Sequence, residues 1–411
     1  MVYDVIVIGG GPVGCAVARD IAAAGYRVLI LEEHREIGVP VQCAGLISER
    51  AVEISRVPSR VILNRLYGAV VYAPGGNILK LEGKKIYALV IDRQAFDRSL
   101  AEQARQAGAE ILCGSRAVKF AYAPEGVQVE AKSSKGQNHL FTCRLVIGAD
   151  GHNSAVARWR SLSSSPEKVS LYAVEVLLPG CSNRVAQIFL DRRLAPGWFG
   201  WIFPAGNDRA RAGVGSSPLV ADNGAESPRL LFEKLVASYP DVFRGMKVLQ
   251  NTGGVVPIGF FERTYDNHVL LVGDAAAHVK PISGGGLYFG LRAAEHCAAT
   301  AVAALRAQNF SRDFLSAYQR KWEADIGLEI NCGLKHREMF LEMKNKDIEF
   351  LTAFLNKAVW KKLILKYGDL DYHSRLAARL AFVPPWASRF LTAGLKRILQ
   401  EAREMERSGI V

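Results

Sequence analysis

No charge-free stretch of this 411-residue chain reaches the ~18 to 20 residues that a membrane-spanning helix requires. A basic leader is missing too: Asp4 stands where a secretory signal carries positive charge, and glycines interrupt the apolar stretch from Val5 to Ala18, so export is not expected. The seven cysteines (15, 43, 113, 143, 181, 297 and 332) are odd in number and never fall as Cys-x-x-Cys, a pattern that fits neither a disulfide framework nor a zinc or iron–sulfur site. Reduced thiols, a cytoplasmic location and no bound metal are the expectation. Internal repeats, long Pro/Gly/Ser linkers and finger, knuckle or RNA-binding signatures are absent. The net charge of +12 therefore points to anionic small molecules or lipid surfaces, not nucleic acid. With 49% hydrophobic and 22% charged residues, disorder is excluded, and the length suits two or three domains at roughly 150 residues each.

What is present begins with an apolar, β-rich run from Tyr3 to Ile8, then Gly9, Gly11 and Gly14, a helical segment from Ala16 to Ala24 and a second buried strand from Val28 to Leu31, ending at Glu32. Parallel strands need such a crossover, so an open α/β sheet is implied. Further on, the pattern predicts a helix over 94–107, strands near 110–113, 117–121, 127–131 and 140–147, an aromatic-rich strand region over 170–216, a helix over 228–239, a strand over 268–272 and a long helix over 287–305. Nucleotide-type elements at both ends of 1–305 enclose a β-rich block, and the chain is helix-rich after Phe310.

Three segments carry chemistry. Gly9-x-Gly11-x-x-Gly14 gives a tight turn, close backbone approach to a pyrophosphate and close strand–helix packing, with the positive helix end facing the phosphates. Glu32, 18 residues past Gly14, suits a ribose 2′-hydroxyl. This motif alone does not separate FAD from NAD. Gly148-Ala149-Asp150-Gly151 is a polar turn directly after an apolar strand. Gly273-Asp274, running through His278 and Pro281 to Gly284-Gly285-Gly286, places a carboxylate where it can accept from a polyol and glycines where backbone N–H groups can close on a flat ring. His278 reads equally as a site base or a loop residue.

Together with Arg93 in Asp92-Arg93-Gln94-Ala95-Phe96-Asp97, these segments resemble the FAD fingerprints of the para-hydroxybenzoate hydroxylase fold. That resemblance implies a Rossmann-like α/β FAD domain (1–60, 92–158 and 267–310), a β-rich substrate domain (61–91 and 159–266) and a helical C-terminal region (311–411). It also implies bound FAD, with Gly9, Gly11, Gly14 and Glu32 on its ADP half, Arg93 near the pyrophosphate and ribityl chain, Asp274 on the ribityl, and Gly284, Gly285 and Gly286 beside the ring; Asp150 belongs to the same cofactor-binding set. Three details are similar to the geranylgeranyl reductase branch: the Val39–Ser48 loop with Cys43, the pair Trp198-Phe199-Gly200-Trp201-Ile202-Phe203-Pro204 and Ala212-Gly213-Val214-Gly215, and Pro281-Ile282-Ser283-Gly284-Gly285-Gly286. Phe199 replaces that family's usual Tyr, and Ser283 its Thr.

The resemblance implies a reductase that saturates isolated double bonds of geranylgeranyl chains by hydride and proton transfer, in isoprenoid lipid, chlorophyll or quinone biosynthesis, with NAD(P)H or ferredoxin as electron donor. Cys43 is its catalytic candidate, and Phe199, Trp201 and Phe203 its apolar substrate wall, with strand alternation setting Trp198 on the opposite face. Alternatives are a flavin monooxygenase or halogenase of the same superfamily, or a non-catalytic FAD/prenyl-lipid carrier. Between 351 and 400 nine Lys and Arg face only Asp369 and Asp371, interleaved with Trp360, Phe382, Trp386 and Phe390, so peripheral contact with an anionic membrane is an expectation.

Overall fold

The computed structural model describes residues 2–124, 126–162, 167–220 and 226–380. Five parallel strands, in the order Val269–Leu271, Asn138–Gly148, Val2–Ile8, Val28–Leu31 and Glu110–Leu112, form the centre of an eight-stranded sheet. The long Asn138–Gly148 strand also carries the antiparallel Ser115–Ala123 and Gly126–Ser133 hairpin. Val5, Val7, Val28 and Ile30 point to one face of this sheet, where the helices Pro12–Ala23, Arg93–Gln106 and Leu287–Ala307 cover them. Buried on both faces, these strands are continuous apolar runs, as parallel strands must be.

A second sheet of seven strands runs Lys247–Ile258, Glu167–Leu177, Arg209–Ser216, Gly200–Gly206, Ala186–Phe189, Gly68–Tyr72 and Ile78–Glu82. One face packs against the helix Pro228–Ser238, with Ile202, Ala212 and Val214 among its core residues. The other gathers Trp198, Trp201 and Phe203 with Val90, Val169, Ile258 and Val279. A three-stranded sheet of Leu46–Ile47, Ala88–Ile91 and Ile62–Leu66 contributes Leu66, Ala88 and Val90 to that second core. From Arg312 to Leu380 the chain is helical. Among the described residues no helix is long and apolar enough to cross a membrane.

One predicted orientation is corrected. The strand begins at Gly200, so Trp198 and Phe199 precede it and escape strand alternation. Trp198 lies in a turn, its backbone N–H donating to Ala195 at 3.1 Å, and its ring stacks on Phe199 with centroids 5.2 Å apart. Trp198 therefore joins Trp201 and Phe203 on one face instead of opposing them. Within the strand proper alternation holds, since Ile202 points to the other core.

The helical region is fixed to the second sheet by a buried ion pair. The Arg337 guanidinium donates from Nε to Glu167 Oε2 at 2.6 Å, its Nη2 meets Glu167 Oε1, and its Cζ stands 4.8 Å from the Trp198 ring centroid. Removing one partner of such a pair strands the other charge. Arg337→Ala is expected to lower the unfolding free energy by about 3–5 kcal/mol in denaturant titration, and the double replacement Arg337→Met with Glu167→Leu by much less.

Candidate functional site

The first glycine turn is built by close approach. A Cβ on Gly14 would lie 2.1 Å from the Gly9 carbonyl oxygen, and Gly9, at φ +105°, has room for none because the Ala149 carbonyl oxygen would stand 2.3 Å away. Around Gly11 the corresponding space is open. Gly11 is the N-cap of the Pro12–Ala23 helix and offers no side-chain cap, so the helix's first N–H groups face outward without a side-chain acceptor. Glu32 closes the turn: its Oε2 accepts from the Gly10 N–H at 2.7 Å, and its Oε1 accepts from the His34 N–H at 2.8 Å.

Asp150 has a different occupation. Its carboxylate accepts from the Ser154 hydroxyl at 2.6 Å and from the N–H groups of Ala155 and Val156 at 2.7 and 3.3 Å. It thereby holds the turn whose backbone Gly9 touches. Burial raises its pKa, with these hydrogen bonds opposing.

At the second turn, Gly273 and Gly290 both pack against Val13, which brings the start of the Leu287–Ala307 helix beside that of the Pro12–Ala23 helix. Gly286 is the N-cap and again supplies no side-chain cap. A Cβ on Gly286 would fall 2.8 Å from Asp274 Oδ1, one on Gly285 would meet Lys280 Cε at 2.7 Å, and one on Gly284 would meet the Trp198 ring at 2.9 Å. Among the described residues no hydrogen bond reaches the Asp274 carboxylate, and the buried Ser283 hydroxyl is likewise without a partner. Burial pushes the Asp274 carboxyl up to about 6, against the attraction of Arg93.

Arg93 joins the pieces. Its Nε and Nη2 donate to the two Asp97 oxygens at 3.1 Å, and its positive charge opposes the burial that raises the Asp274 pKa. Cys43 is half-buried, its Sγ accepting from the Gly45 N–H at 3.2 Å. The Cys43 loop is tied to the strand before Arg93 by the Ile91 N–H, which donates to the Gly45 carbonyl at 2.9 Å, and the glycine turn runs from Gly286 beside Asp274 to Gly284 on the Trp198 ring.

On that face Phe199 and Trp201 meet edge-on at 5.9 Å and Trp201 stacks on Phe203 at 6.1 Å. The indoles lie flat because Gly213 and Gly215 stand opposite: Cβ atoms there would sit 2.4 Å from Trp201 and 2.0 Å from Trp198. His278 is settled as a core residue. It is fully buried, accepts from the Gly273 N–H at 3.2 Å, packs on Trp322 at 4.6 Å, and desolvation lowers its pKa to about 3.

Arg211 and Lys280 escaped the sequence reading. Arg211 Nη1 donates to the Ile91 and Ala44 carbonyls at 2.7 and 3.3 Å, clamping the Cys43 loop to the strand that leads into Arg93. The signal was a charge embedded in a small, apolar strand; for Lys280 it was a charge inside the apolar turn between Val279 and Pro281. Among the described residues no group of three or more His, Cys, Asp or Glu is placed to hold a metal ion.

Two uncapped helix starts, glycines at the contact points and a carboxylate without a donor fit a dinucleotide carrying a polyol and a flat ring. An FAD-binding domain model matches residues 2–324. Digeranylgeranylglycerophospholipid reductase 2 of Methanopyrus kandleri is 34% identical over 373 residues, covering 87% of this chain and 91% of that protein. The digeranylgeranylglycerophospholipid reductase of Methanosarcina acetivorans is 30% identical over 374 residues, covering 89% and 91%. The chain belongs to the geranylgeranyl reductase family. A geranylgeranyl bacteriochlorophyll reductase-like protein from Thermoplasma acidophilum shares the fold at TM-score 0.81 and 23% identity, over 92% of this chain and 98% of that one. The protein is accordingly an FAD-dependent oxidoreductase acting on carbon–carbon double bonds, with a para-hydroxybenzoate hydroxylase-type architecture.

The raised Asp274 pKa has a measurable sign. Because the folded value of about 6 exceeds the unfolded carboxyl's ~3.9, this group stabilises the FAD-free protein fully only below about pH 4 and loses that contribution as pH rises through about 6. Thermal melts of the FAD-free protein from pH 4 to 7 should show this fall, and Asp274→Asn should remove it.

Proposed function

We propose that this chain saturates isolated double bonds in the geranylgeranyl chains of a glycerophospholipid, and that the aromatic face reached through Gly284 is where the chain lies. The observation that carries this is the glycine turn itself, in which Gly286 lies beside the Asp274 carboxylate and Gly284 against the Trp198 ring of the aromatic face. FAD, when bound and reduced, supplies the hydride that one alkene carbon receives. In this reading Gly9, Gly11, Gly14 and Glu32 hold its ADP half, Arg93 the pyrophosphate and ribityl region, Asp274 the ribityl hydroxyls, and Gly284–Gly286 the ring, while Asp150 positions the turn behind Gly9.

An uncharged alkene offers nothing to an ion pair, so binding comes from burial of the hydrocarbon, at about 0.8 kcal/mol per CH₂. Phe199, half-buried, would face the chain, with Trp201 and Phe203, 4% and 6% exposed, packed in the core beside it, and the same packing would exclude water from the reacting carbons. Cys43 delivers the proton to the second alkene carbon, with the Gly45 N–H orienting its sulfur. The electrons come from NAD(P)H or a ferredoxin.

The substrate arrives from an anionic membrane. Support comes from the helix Ala358–Tyr367, in which no residue is fully buried: Val359 is 63% exposed, and Lys357, Lys362 and Lys366 are exposed around Trp360, Phe354 and Leu363. Phe382, Trp386, Arg389, Phe390, Leu391, Lys396 and Arg397 of the same basic segment lie outside the described residues.

Incubating the reduced holoprotein anaerobically with digeranylgeranylglycerophospholipid should add H₂ per double bond by mass spectrometry. An unchanged lipid mass supports a carrier, and a product formed only with oxygen supports a monooxygenase or halogenase. Cys43→Ala should slow turnover by about 10²-fold with FAD still bound; an unaltered rate removes Cys43 from proton delivery. Vesicles containing anionic lipid should retain the protein in sedimentation, Val359→Glu should weaken that retention, and high salt should abolish most of it.

A further inference from the structure

The FAD-binding domain match ends at residue 324, yet the ring-end glycine turn is braced by a segment well beyond it. Lys280, 5% exposed, sends its ammonium to the Leu370 carbonyl at 2.9 Å and to Asp371 Oδ1 at 3.0 Å, and Asp371 is 1% exposed. The Lys280 backbone is itself part of the turn: its N–H donates to the Gly285 carbonyl, and its carbonyl accepts from the Gly284 N–H at 2.9 Å. Gly285 has no Cβ because the Lys280 side chain runs past it.

The same short strap, Asp369 to Ser374, grips two other walls of the site. Asp369 accepts two hydrogen bonds from Arg50 at 2.8 and 2.9 Å, on the helix that follows the Cys43 loop, and Asp371 Oδ2 lies 3.5 Å from the same guanidinium. Tyr372 shares a hydroxyl contact of 2.9 Å with Tyr288, in the first turn of the Leu287–Ala307 helix. Leu370 packs against the core that contains Trp198 and Trp201. Ser374 anchors the far end on Glu329, its N–H donating at 3.2 Å.

We propose that this strap is a working part of the FAD site, and that Lys280 is a positioning residue which, tied to Asp371, sets the shape of the Gly284–Gly286 turn against the flavin ring. The inference rests on the FAD assignment of that turn and adds an element from outside the cofactor-binding module. Three tethers on three elements make the strap a coupler: when it is seated, the Cys43 loop, the glycine turn and the helix start are held in one geometry. A buried lysine is retained here because the turn needs a fixed partner that reaches across Gly285 to the C-terminal region; an apolar side chain would fill the space without tying the two together.

The test uses the full chain, with FAD affinity and flavin midpoint potential read alongside thermal stability. Lys280→Met leaves Asp371 with Arg50 for a partner, so the fold should persist while FAD binds about tenfold more weakly and the potential shifts. Asp371→Asn should act in the same direction. Ser374→Ala, which loosens the strap's far end without touching Lys280, should lower the melting temperature and leave the potential of bound FAD unchanged. If either single variant fails to fold, Lys280→Met with Asp371→Leu, which removes both charges, carries the measurement. Wild-type FAD affinity and potential in the folded Lys280 and Asp371 variants would overturn the strap's role, whereas failure of the wild-type chain itself to bind FAD would overturn the site assignment beneath it.

Discussion

The Pro12–Ala23 helix can lie against the Val2–Ile8 strand only because Gly14 brings no Cβ to a point 2.1 Å from the Gly9 carbonyl oxygen, and the site grows from that contact. Close packing there aims the helix's unsatisfied N–H groups past Gly11 into open space. The Leu287–Ala307 helix repeats the device: Gly290 lets it settle onto Val13, so a second uncapped helix start stands beside the first. Two positive helix ends held side by side by steric contact offer fixed electrostatics for an anionic cofactor, at no cost in side-chain ordering when it binds.

Arg93 stands among these features, paired with Asp97. A guanidinium stays charged in surroundings that desolvate it, and here burial, which would lower its pKa, is outweighed by the Asp97 carboxylate in direct contact. The charge balance is local, and burial raises the pKa of both neighbouring acids against the pull of Arg93. Asp97 has Arg93 in direct contact, while Asp274 has no hydrogen-bond donor among the described residues and is pushed up to about 6. A carboxyl left in that condition is poised to accept from hydroxyl groups brought by a ligand.

Local chemistry was legible in the sequence. The βαβ opening, the spacing to Glu32, the order of the glycine turns and the apolar runs each depend on a few neighbouring residues, and the strand Val28–Leu31 lies where its pattern put it. What escaped depends on partners far apart in sequence. Trp198 was assigned to the wrong face because alternation was extended two residues beyond the strand's start, into a turn whose geometry Ala195 fixes. Arg211, Lys280 and Arg337 look like ordinary cations until folding brings Ala44, Asp371 and Glu167 to them across 167, 91 and 170 residues.

Those long-range cations all serve loops that local propensity leaves undecided. Arg211 fixes the Cys43 loop, Lys280 the glycine turn, and Arg337 the stretch that ends in Trp198, stacked beneath its guanidinium. Each gives directional hydrogen bonds where apolar packing alone would permit several arrangements of nearly equal energy. The proposed reaction would have particular need of this division of labour: the alkene chain itself supplies no charge by which to orient its reacting carbons, so their register would come from the walls. The rings of Trp198 and Trp201 can serve as such walls because Gly213 and Gly215 let them lie flat and Arg337 and Gly284 hold Trp198 from its other sides. Rigidity is therefore placed in the protein's own charged pairs, away from the apolar surface that the chain would touch.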